Sequence, residues 1–330
     1  MKKTTIIVII IDIFVLICFF LAYGPITYFK NLLVTTAMTT MNHKYLAYIL
    51  YDDNTVENVM LNNKVIETLE DTNIDDIKFT ITPKKEYDTK YEEEILSNSN
   101  ELYKLIEITG NNYKGYLVAI YDASRVKLVQ AYPQGYGGDL LTNIARKNNA
   151  LVAINASGFT DQSSIGKGSV ATGTVIINGK IISKEGDTGY GGGLAGFNQD
   201  NVLVLTRKTP EEAIKDGIKD AVEFGPFLIV NGTPSEIKGN GGWGIAPRTA
   251  LAQRKDGIVL FLVIDGRNFG HSLGVDMNEL IKILQNYGAH NAVNLDGGGS
   301  STLVIEGKLT NIPCGSTCIE RYVPNAWILK

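Results

Sequence analysis

The sequence predicts an α+β protein: a mixed β-sheet core with a few packed helices, preceded by one N-terminal transmembrane helix. An almost unbroken apolar run opens the chain, and short β-branched and aromatic runs, separated by Gly, Asn and Asp, follow residue 101. Only a few segments have helical periodicity. With 330 residues, of which 44% are hydrophobic and 20% charged, the chain is long enough to bury a large core.

The apolar run over residues 6–22 has the composition of a membrane span. A helix over residues 4–23 reaches about 30 Å, the thickness of the hydrocarbon core. Asp12 costs ~2.5–3.5 kcal/mol there, which about a dozen apolar neighbours outweigh at ~0.3–0.6 kcal/mol each. A cleaved signal peptide is the alternative, although no small-x-small pair follows the run. Lys2 and Lys3 before the span predict a single-pass cell-membrane protein whose C-terminal domain is extracytoplasmic.

Three regions follow from composition. We expect a cytoplasmic stub and transmembrane anchor over residues 1–24, a membrane-proximal helical and linker region over residues 25–100, and a folded domain over residues 101–330. The net charge of −4 and the absence of a basic run interleaved with aromatic residues argue against nucleic acid as a partner.

A strand, a helix and a strand follow one another near the end of the chain. "GIVLFLVIDGR" ends its apolar run at Asp265, and "NAVNLDGGG" ends its run at Asp296. Asp276 and Gly288 have the positions of the N-terminal and C-terminal caps of the helix between them. This order predicts parallel strands joined by a crossover, with both aspartates at the same sheet edge, where ligands bind in open α/β sheets. The alternative for Asp265 is a turn cap.

The stretch "NLDGGGSST" predicts an anion site after the second strand. Three consecutive glycines allow a sharp turn and a close approach, and they expose consecutive N–H groups that suit a phosphate. Hydroxyl groups follow, and a guanidinium can add bidentate hydrogen bonds. The predicted phosphate-binding residues are Asn294, Gly297, Gly298, Gly299, Ser300, Ser301, Thr302, Arg248 and Arg267.

Six motifs in order resemble the phosphodiester glycosidase family. They are "NASGF", "FGPFLIVNG", "PRTALAQ", "LVIDGR", "NLDGGGSSTLV" and "ERYVPNAWIL". The family includes uncovering enzymes, which remove N-acetylglucosamine from a phosphodiester, and bacterial exopolysaccharide-related members. The resemblance covers residues 102–329 and implies that residues 101–330 form a phosphodiester glycosidase-like domain of a bacterial surface protein.

The resemblance implies an extracytoplasmic hydrolase that cleaves the glycosidic bond of a sugar-1-phosphodiester of a cell-surface glycan or exopolysaccharide. We expect Asp296 to act as base or nucleophile at the anomeric carbon, Arg248 to hold the phosphate, and Asp265 to orient water or sugar hydroxyls. The two aspartates could exchange these roles. Asn155 and Ser157 either bind sugar hydroxyls or an acetamido group, or satisfy a turn.

Two other functions remain open. Asp265, Asp296 and Asn294 are hard oxygen ligands, so a metal-assisted phosphodiesterase with Mg²⁺ or Ca²⁺ is an alternative to the expected metal-free and cofactor-free enzyme. A non-catalytic phosphoglycan-binding module is the other. A Ser-His-Asp hydrolase is disfavoured because His271 is the only histidine near the motifs.

The cysteines of "CGSTC", Cys314 and Cys318, either close a small disulfide in an oxidising compartment or remain two thiols.

Overall fold

The structure is a computed structural model that describes residues 3–40, 43–81, 86–97, 101–132, 137–160, 170–186, 191–314 and 319–330. The helices in these ranges are α1 (Lys3–Tyr23), α2 (Thr27–Met38), α3 (Tyr45–Leu50), α4 (Asp53–Asn62), α5 (Lys90–Leu96), α6 (Leu141–Lys147), α7 (Pro210–Lys215) and α8 (Met277–Asn286).

The strands in the same ranges are β1 (Lys64–Ile66), β2 (Tyr103–Gly110), β3 (Tyr113–Ile120), β4 (Val126–Gln130), β5 (Asp139–Leu140), β6 (Val152–Asn155), β7 (Phe159–Thr160), β8 (Val170–Ala171), β9 (Gly173–Ile177), β10 (Lys180–Glu185), β11 (Gly193–Asn198), β12 (Leu203–Thr206), β13 (Ile218–Phe224), β14 (Phe227–Val230), β15 (Thr233–Pro234), β16 (Glu236–Lys238), β17 (Arg248–Arg254), β18 (Val259–Ile264), β19 (Ala289–Asn294), β20 (Leu303–Ile305), β21 (Lys308–Leu309), β22 (Tyr322–Val323) and β23 (Asn325–Leu329). The predicted α+β class with sheets at its core is confirmed.

The chain divides into two units, of which the smaller contains residues 1–65 and 237–245. Its helix α1 is long and apolar enough to cross a membrane, with a mean hydropathy of 3.1 over the most apolar window, none of which is buried. Helices α2, α3 and α4 bury a small apolar cluster around Val34 and Val56. The boundaries predicted from composition, after residues 24 and 100, stay predictions.

The larger unit, residues 66–236 and 246–330, contains three large sheets. Their strand orders are β10-β9-β13-β11-β12, β15-β14-β19-β17-β18-β3-β2 and β21-β20-β6-β23-β4. Neighbouring strands in all three are antiparallel. A hairpin turn at Asn178 and Gly179 joins β9 to β10, and both residues have positive φ, as a type I′ turn requires.

One apolar core is shared by the three sheets. Alternate residues of β18, such as Val259 and Phe261, point into this core. Trp327 of β23 is fully buried there and packs edge-on against Phe197 of β11 with a ring-centroid distance of 5.5 Å. The core fixes the strands that carry the site because large buried side chains do not tolerate a shift of register.

The predicted helix after Asp276 is confirmed. Its N-cap carboxylate accepts a hydrogen bond from the Glu279 N–H at 2.9 Å, and Gly288 follows the helix with a φ of 75°. Helix α8 packs on β19. The predicted crossover between parallel strands is confirmed: β18 and β19 both pair antiparallel with β17, so they run parallel to each other with β17 between them.

Because β17 lies between β18 and β19, the beginning of β17 and the ends of β18 and β19 lie at the same sheet edge. Strand β17 begins with Arg248 opposite Ile264, the last residue of β18, and its Ala250 lies opposite Asn294, the last residue of β19. The carboxyl ends of β18 and β19 therefore share an edge, as predicted, with the beginning of β17 between them.

Candidate active site

The triglycine turn follows β19, and its residues meet three different constraints. A Cβ on Gly297 would lie 2.9 Å from the Pro247 carbonyl oxygen, which excludes any larger side chain. Gly298 has a φ of 60°, in the left-handed region. A Cβ on Gly299 would lie 3.4 Å from Cδ of Arg321. The turn is thus pressed against its neighbours on two sides, while all three glycines remain partly exposed.

Guanidinium groups surround this turn. A Cβ built on Gly297 would lie 3.9 Å from Nη1 of Arg248, and one built on Gly298 would lie 3.3 Å from Nη1 of Arg267. Arg321 lies against Gly299. Three cations around one exposed backbone turn form a strongly positive surface that suits an oxyanion.

The backbone N–H groups of the turn are not all available to a ligand. Gly298 donates to the Pro247 carbonyl at 3.0 Å. The Gly297 N–H hydrogen-bonds the Asp296 side chain and favours its charged form. The predicted cradle of three consecutive N–H groups is therefore reduced, and the guanidinium groups carry most of the positive charge that a ligand would meet.

Arg248 is the buried member of the three. Its side chain is 3% exposed, and its Nε donates to the Val275 carbonyl at 3.2 Å. Burial and, to a smaller extent, the neighbouring Arg267 charge lower the pKa of Arg248 to about 9, although Asp276 opposes the shift. The group still carries its charge at neutral pH.

Arg321 is positioned from the opposite side of the turn. Its guanidinium lies 4.6 Å from the ring centroid of Phe159, the last residue of "NASGF", in a cation–π contact. Its charge lowers the pKa of Asp296. Arg321 therefore contacts Phe159 of "NASGF" and also acts through its charge on Asp296, the predicted catalytic carboxylate.

Asp296 is a partly buried carboxylate directly before the triglycine turn. Burial of the carboxylate raises its pKa to about 6, although the Ser300 hydroxyl, the Arg321 charge and the Gly297 N–H all favour the ionised form. The Ser300 hydroxyl lies close to the carboxylate but forms no hydrogen bond of regular geometry with it. A carboxylate that is poorly solvated yet mostly ionised at neutral pH is suited to act as base or nucleophile.

Asp265 differs from Asp296 because its oxygens already have partners. Oδ1 accepts hydrogen bonds from Asn311 Nδ2 at 2.9 Å and from the Ile312 N–H at 3.0 Å. Oδ2 lies 2.9 Å from Nε2 of His271. The Asp265 side chain is 1% exposed, whereas that of His271 is 22% exposed, so the histidine is the solvent-facing end of the pair.

Asn155 braces the turn from β6. Its Nδ2 donates to the Asp296 carbonyl at 2.6 Å, and its Oδ1 accepts from Thr249 Oγ1 at 2.8 Å and from the Thr302 N–H at 3.2 Å. Asn155 is fully buried. The alternative from the sequence, in which Asn155 satisfies a turn, accounts for all of these contacts.

Ser157 and Asn294 are also inside the fold. The Ser157 hydroxyl donates to Oδ1 of Asn325 at 2.9 Å, and Asn294 donates from Nδ2 to the Gly225 carbonyl at 2.9 Å. Both side chains are 1% exposed. They hold the ends of β6 and β19 in place, while a direct role in binding sugar or phosphate stays a prediction.

The hydroxyl residues after the turn lie beneath it. Ser300, Ser301 and Thr302 are fully buried, and their hydroxyls form no regular hydrogen bond within the described part of the chain. The structure therefore leaves the three glycines and Asp296 partly exposed, with Arg248 buried beside them, and places these three hydroxyls behind the turn.

The predicted disulfide cannot be judged, because Cys318 lies outside the described residues. Cys314 lies 3.9 Å from Nη1 of Arg267. Burial raises the pKa of the Cys314 thiol, and Arg267 and Arg321 oppose this shift.

Within the described ranges, no group of three or more His, Cys, Asp or Glu side chains has the arrangement of a metal site. The metal requirement stays a prediction.

Sequence reasoning assigned no role to two residues of the site. Arg321 stood in the quoted motif "ERYVPNAWIL", immediately before β22 and four residues before the buried strand β23, and no periodicity marked it as a site residue. His271 was treated as a lone loop histidine. Its link to Asp265 follows from the tight turn over residues 266–274, which no periodicity reveals.

Comparison with known proteins defines the class of this fold and site. The family model for phosphodiester glycosidase matches residues 148–330. The chain belongs to the phosphodiester glycosidase family.

Two curated relatives are similar in sequence. The SPbeta prophage-derived uncharacterized protein YomE of Bacillus subtilis is 29% identical over 56% of this chain and 28% of its own length. The N-acetylglucosamine-1-phosphodiester alpha-N-acetylglucosaminidase of Bos taurus is 26% identical over 51% of this chain and 34% of its own length. The chain thus spans about a third of the length of these relatives.

A solved structure shares the fold. It is the catalytic domain of the zebrafish N-acetylglucosamine-1-phosphodiester alpha-N-acetylglucosaminidase, in a form auto-inhibited by its pro-peptide. The TM-score is 0.57 at 21% identity, over 69% of this chain and 81% of that domain.

The raised pKa of Asp296 predicts a stabilising substitution. An ionised Asp296 disfavours the folded state, and this penalty is absent below the unfolded pKa near 3.8 and complete above about 6. We expect Asp296→Asn to raise the free energy of unfolding by about 1–3 kcal/mol at pH 7.5 and by much less at pH 4.5. Thermal unfolding of the full chain in detergent at both pH values measures this. The exposed Asp75→Asn is the control, and equal gains for both variants would contradict the assignment.

Proposed function

We propose that this protein is a hydrolase that cleaves the glycosidic bond of a sugar-1-phosphodiester, such as an N-acetylglucosamine-1-phosphodiester, in a cell-surface glycan or exopolysaccharide. The observation that carries the proposal is the placement of Asp296, with its raised pKa, beside an exposed turn flanked by three arginines. Membership of the phosphodiester glycosidase family supports the reaction class. The name of the bovine relative, an N-acetylglucosamine-1-phosphodiester alpha-N-acetylglucosaminidase, supports the choice of sugar.

In this proposal the three arginines bind the phosphate of the substrate and stabilise its charge. A phosphodiester carries one negative charge, and the phosphomonoester that leaves has a second pKa near ~6, so its charge rises as the bond breaks. Arg248, Arg267 and Arg321 stabilise this growing charge at the triglycine turn. A leaving group that departs as an anion needs little help from a general acid.

Asp296 acts at the anomeric carbon as nucleophile or as the base that activates water. Its carboxylate is next to the turn that holds the phosphate, and Asn155 fixes its backbone carbonyl. The desolvation that raises its pKa also makes the ionised form reactive. Because both oxygens of Asp265 are already hydrogen-bonded, the geometry favours Asp296 over Asp265 for this role.

Asp265 acts through His271 in this proposal. The carboxylate fixes the ring by accepting at Oδ2, and the partly exposed imidazole orients water or a sugar hydroxyl. Asp265 is then a positioning residue rather than a second carboxylate flanking the bond.

We further propose that α1 anchors the protein in the cell membrane with the larger unit outside. The length and hydropathy of α1 and the exposure of its side chains support an anchor. Lys2 and Lys3 support a cytoplasmic N-terminus.

Hydrolysis of a defined diester tests the reaction. We expect the full chain in detergent to release free N-acetylglucosamine from its methyl-phosphate 1-diester, and Asp296→Asn to lower kcat by at least about a thousandfold while KM changes little. The sugar and the phosphomonoester are quantified with and without a chelator.

The products separate the alternatives. Release of sugar phosphate would indicate cleavage of the P–O bond by a phosphodiesterase, and loss of activity in chelator would indicate a metal-assisted enzyme. Binding of the diester without turnover would indicate a phosphoglycan-binding module.

Arg321 provides a second test. We expect Arg321→Gln to lower kcat/KM for the diester by about tenfold to a hundredfold because one charge-assisted contact to the phosphate is lost. The variant should also move the acidic limb of the pH profile to higher pH, because the Arg321 charge lowers the pKa of Asp296. Arg146→Gln, which removes an exposed arginine, is the control. An unchanged kcat/KM for Arg321→Gln would remove Arg321 from the site.

The pH profile reports the protonation of Asp296. Since the base or nucleophile must be ionised, kcat/KM should fall about tenfold per pH unit below about pH 6. The profile is repeated with His271→Gln, which removes the neighbouring imidazole and leaves Asp296 in place. Persistence of the limb in this variant assigns it to Asp296, and its disappearance would assign it to His271.

A further inference from the structure

The smaller unit exposes an apolar surface beside the end of α1, the proposed membrane anchor. All six residues of α3 are aromatic or aliphatic, and all but Ala47 are exposed. Ile49 is 68% exposed, slightly more than Phe14 and Leu16 of α1 at 66%. A helix that is apolar on every side is ordinarily buried in protein or in a membrane, so the exposed side of α3 calls for a further covering surface.

The exposed residues of α3 and α2 form continuous stripes. Tyr45, Tyr48 and Ile49 have the spacing of neighbours on one side of a helix. Phe29 and Leu33 lie one turn apart on α2, and both are exposed. We call these five residues the apolar stripe of the smaller unit.

A second apolar side of the same helices is already used inside the unit. Val34 of α2 and Ala47 of α3 are buried in the cluster that these helices share with Val56 and Val59 of α4. The apolar stripe is therefore additional to the side that folding requires.

Two reciprocal hydrogen bonds place the end of α3 at the end of α1. The Tyr23 hydroxyl donates to the Leu50 carbonyl at 2.8 Å, and the Tyr51 hydroxyl donates to the Ala22 carbonyl at 2.8 Å. The centroids of the two tyrosine rings are 5.7 Å apart. Tyr23 ends a helix of 21 residues, which spans ~31 Å, so in a bilayer crossed by α1 this tyrosine and the end of α3 lie at the membrane interface.

The composition of this segment fits a boundary between lipid and water. Residues 13–51 contain no Asp or Glu, and acidic residues begin again at Asp52. Lys30 and Lys44 are cations in the same segment, and cations near a membrane surface are attracted to anionic headgroups. Tyrosine is enriched at membrane interfaces, and this segment contains Tyr23, Tyr28, Tyr45, Tyr48 and Tyr51.

We propose that α2 and α3 lie in the headgroup region of the bilayer that α1 crosses, with the apolar stripe inserted toward the acyl chains. The partner of this surface is a lipid bilayer with anionic headgroups, which Lys30 and Lys44 face. The proposal rests on the proposed membrane anchor and is independent of the proposed hydrolysis. The smaller unit then contacts the membrane through three helices rather than one.

Quenching of an added tryptophan by brominated lipid tests this surface. Ile49→Trp in the full chain is reconstituted in vesicles of equal parts phosphatidylcholine and phosphatidylglycerol, with acyl chains brominated near the headgroup. The fluorescence of wild type is subtracted because it arises from Trp243 and Trp327. We expect the brominated lipid to quench about half of the added fluorescence, because an interfacial side chain lies ~5–10 Å below the headgroup boundary.

Leu61→Trp is the matched control. Leu61 is an exposed aliphatic residue of the same unit, and it lies one turn after the exposed Glu57 on α4. Since this side of α4 is polar, the added tryptophan should lose less than about a tenth of its fluorescence to the brominated lipid.

A third position separates failure of this proposal from failure of the anchor. Ile13 lies near the middle of α1, so lipid brominated near the ends of its acyl chains should quench Ile13→Trp most strongly. No quenching of Ile13→Trp would contradict the anchor and this proposal with it. Quenching of Ile13→Trp without quenching of Ile49→Trp or of the conservative Tyr48→Trp would overturn this proposal alone.

A water-soluble quencher, acrylamide, tests for other partners of the apolar stripe. Protection of Ile49→Trp from acrylamide without quenching by brominated lipid would indicate that a protein surface, such as a second copy of the chain, covers α3. Strong quenching by acrylamide alone would indicate an uncovered helix. Either result would overturn the proposal.

Discussion

The hydrogen bonds of Asn155 are the constraint on which the site depends. One buried amide connects the carbonyl of Asp296, the hydroxyl of Thr249 on β17 and the N–H of Thr302 after the turn. These groups come from three separate parts of the chain, and each would be an unsatisfied buried polar group without the amide. The backbone of Asp296, the proposed catalytic residue, is therefore held by a residue that has no solvent-accessible surface.

The folded protein holds three arginines close together around the triglycine turn. Like charges oppose folding, and the effect is visible at Arg248, whose pKa falls to about 9 through burial and the proximity of Arg267. Folding is maintained by the shared apolar core and by local contacts such as the Phe159 ring beneath Arg321. An anionic ligand at the triglycine turn would reduce this repulsion among the arginines.

The sequence predicted the class of fold and the edge of the site because these depend on local patterns. Periodicity identified β18, α8 and β19, and chain order placed Asp265 and Asp296 at a common edge. It could not predict that β17 inserts between the two strands, because pairing partners distant in the chain leave no local pattern. The burial of individual side chains also could not be predicted from the sequence. Ser157 and Asn294 have side chains that could bind a sugar or a phosphate, but the packing of the fold places both beneath the surface. A role for Arg321 could be inferred only from the structure, which places its guanidinium over the Phe159 ring beside the triglycine turn.

The place of β23 in its sheet has a consequence for the biogenesis of the protein. This strand lies between β6 and β4, which are much earlier in the chain, and contributes Trp327 to the centre of the core. The sheet cannot close on the ribosome or during passage through a translocation channel until residues 325–329 have emerged. Until then Asn325 cannot hold Ser157. The sheet that carries Asn155 is consequently the last of the three large sheets that can be completed during synthesis.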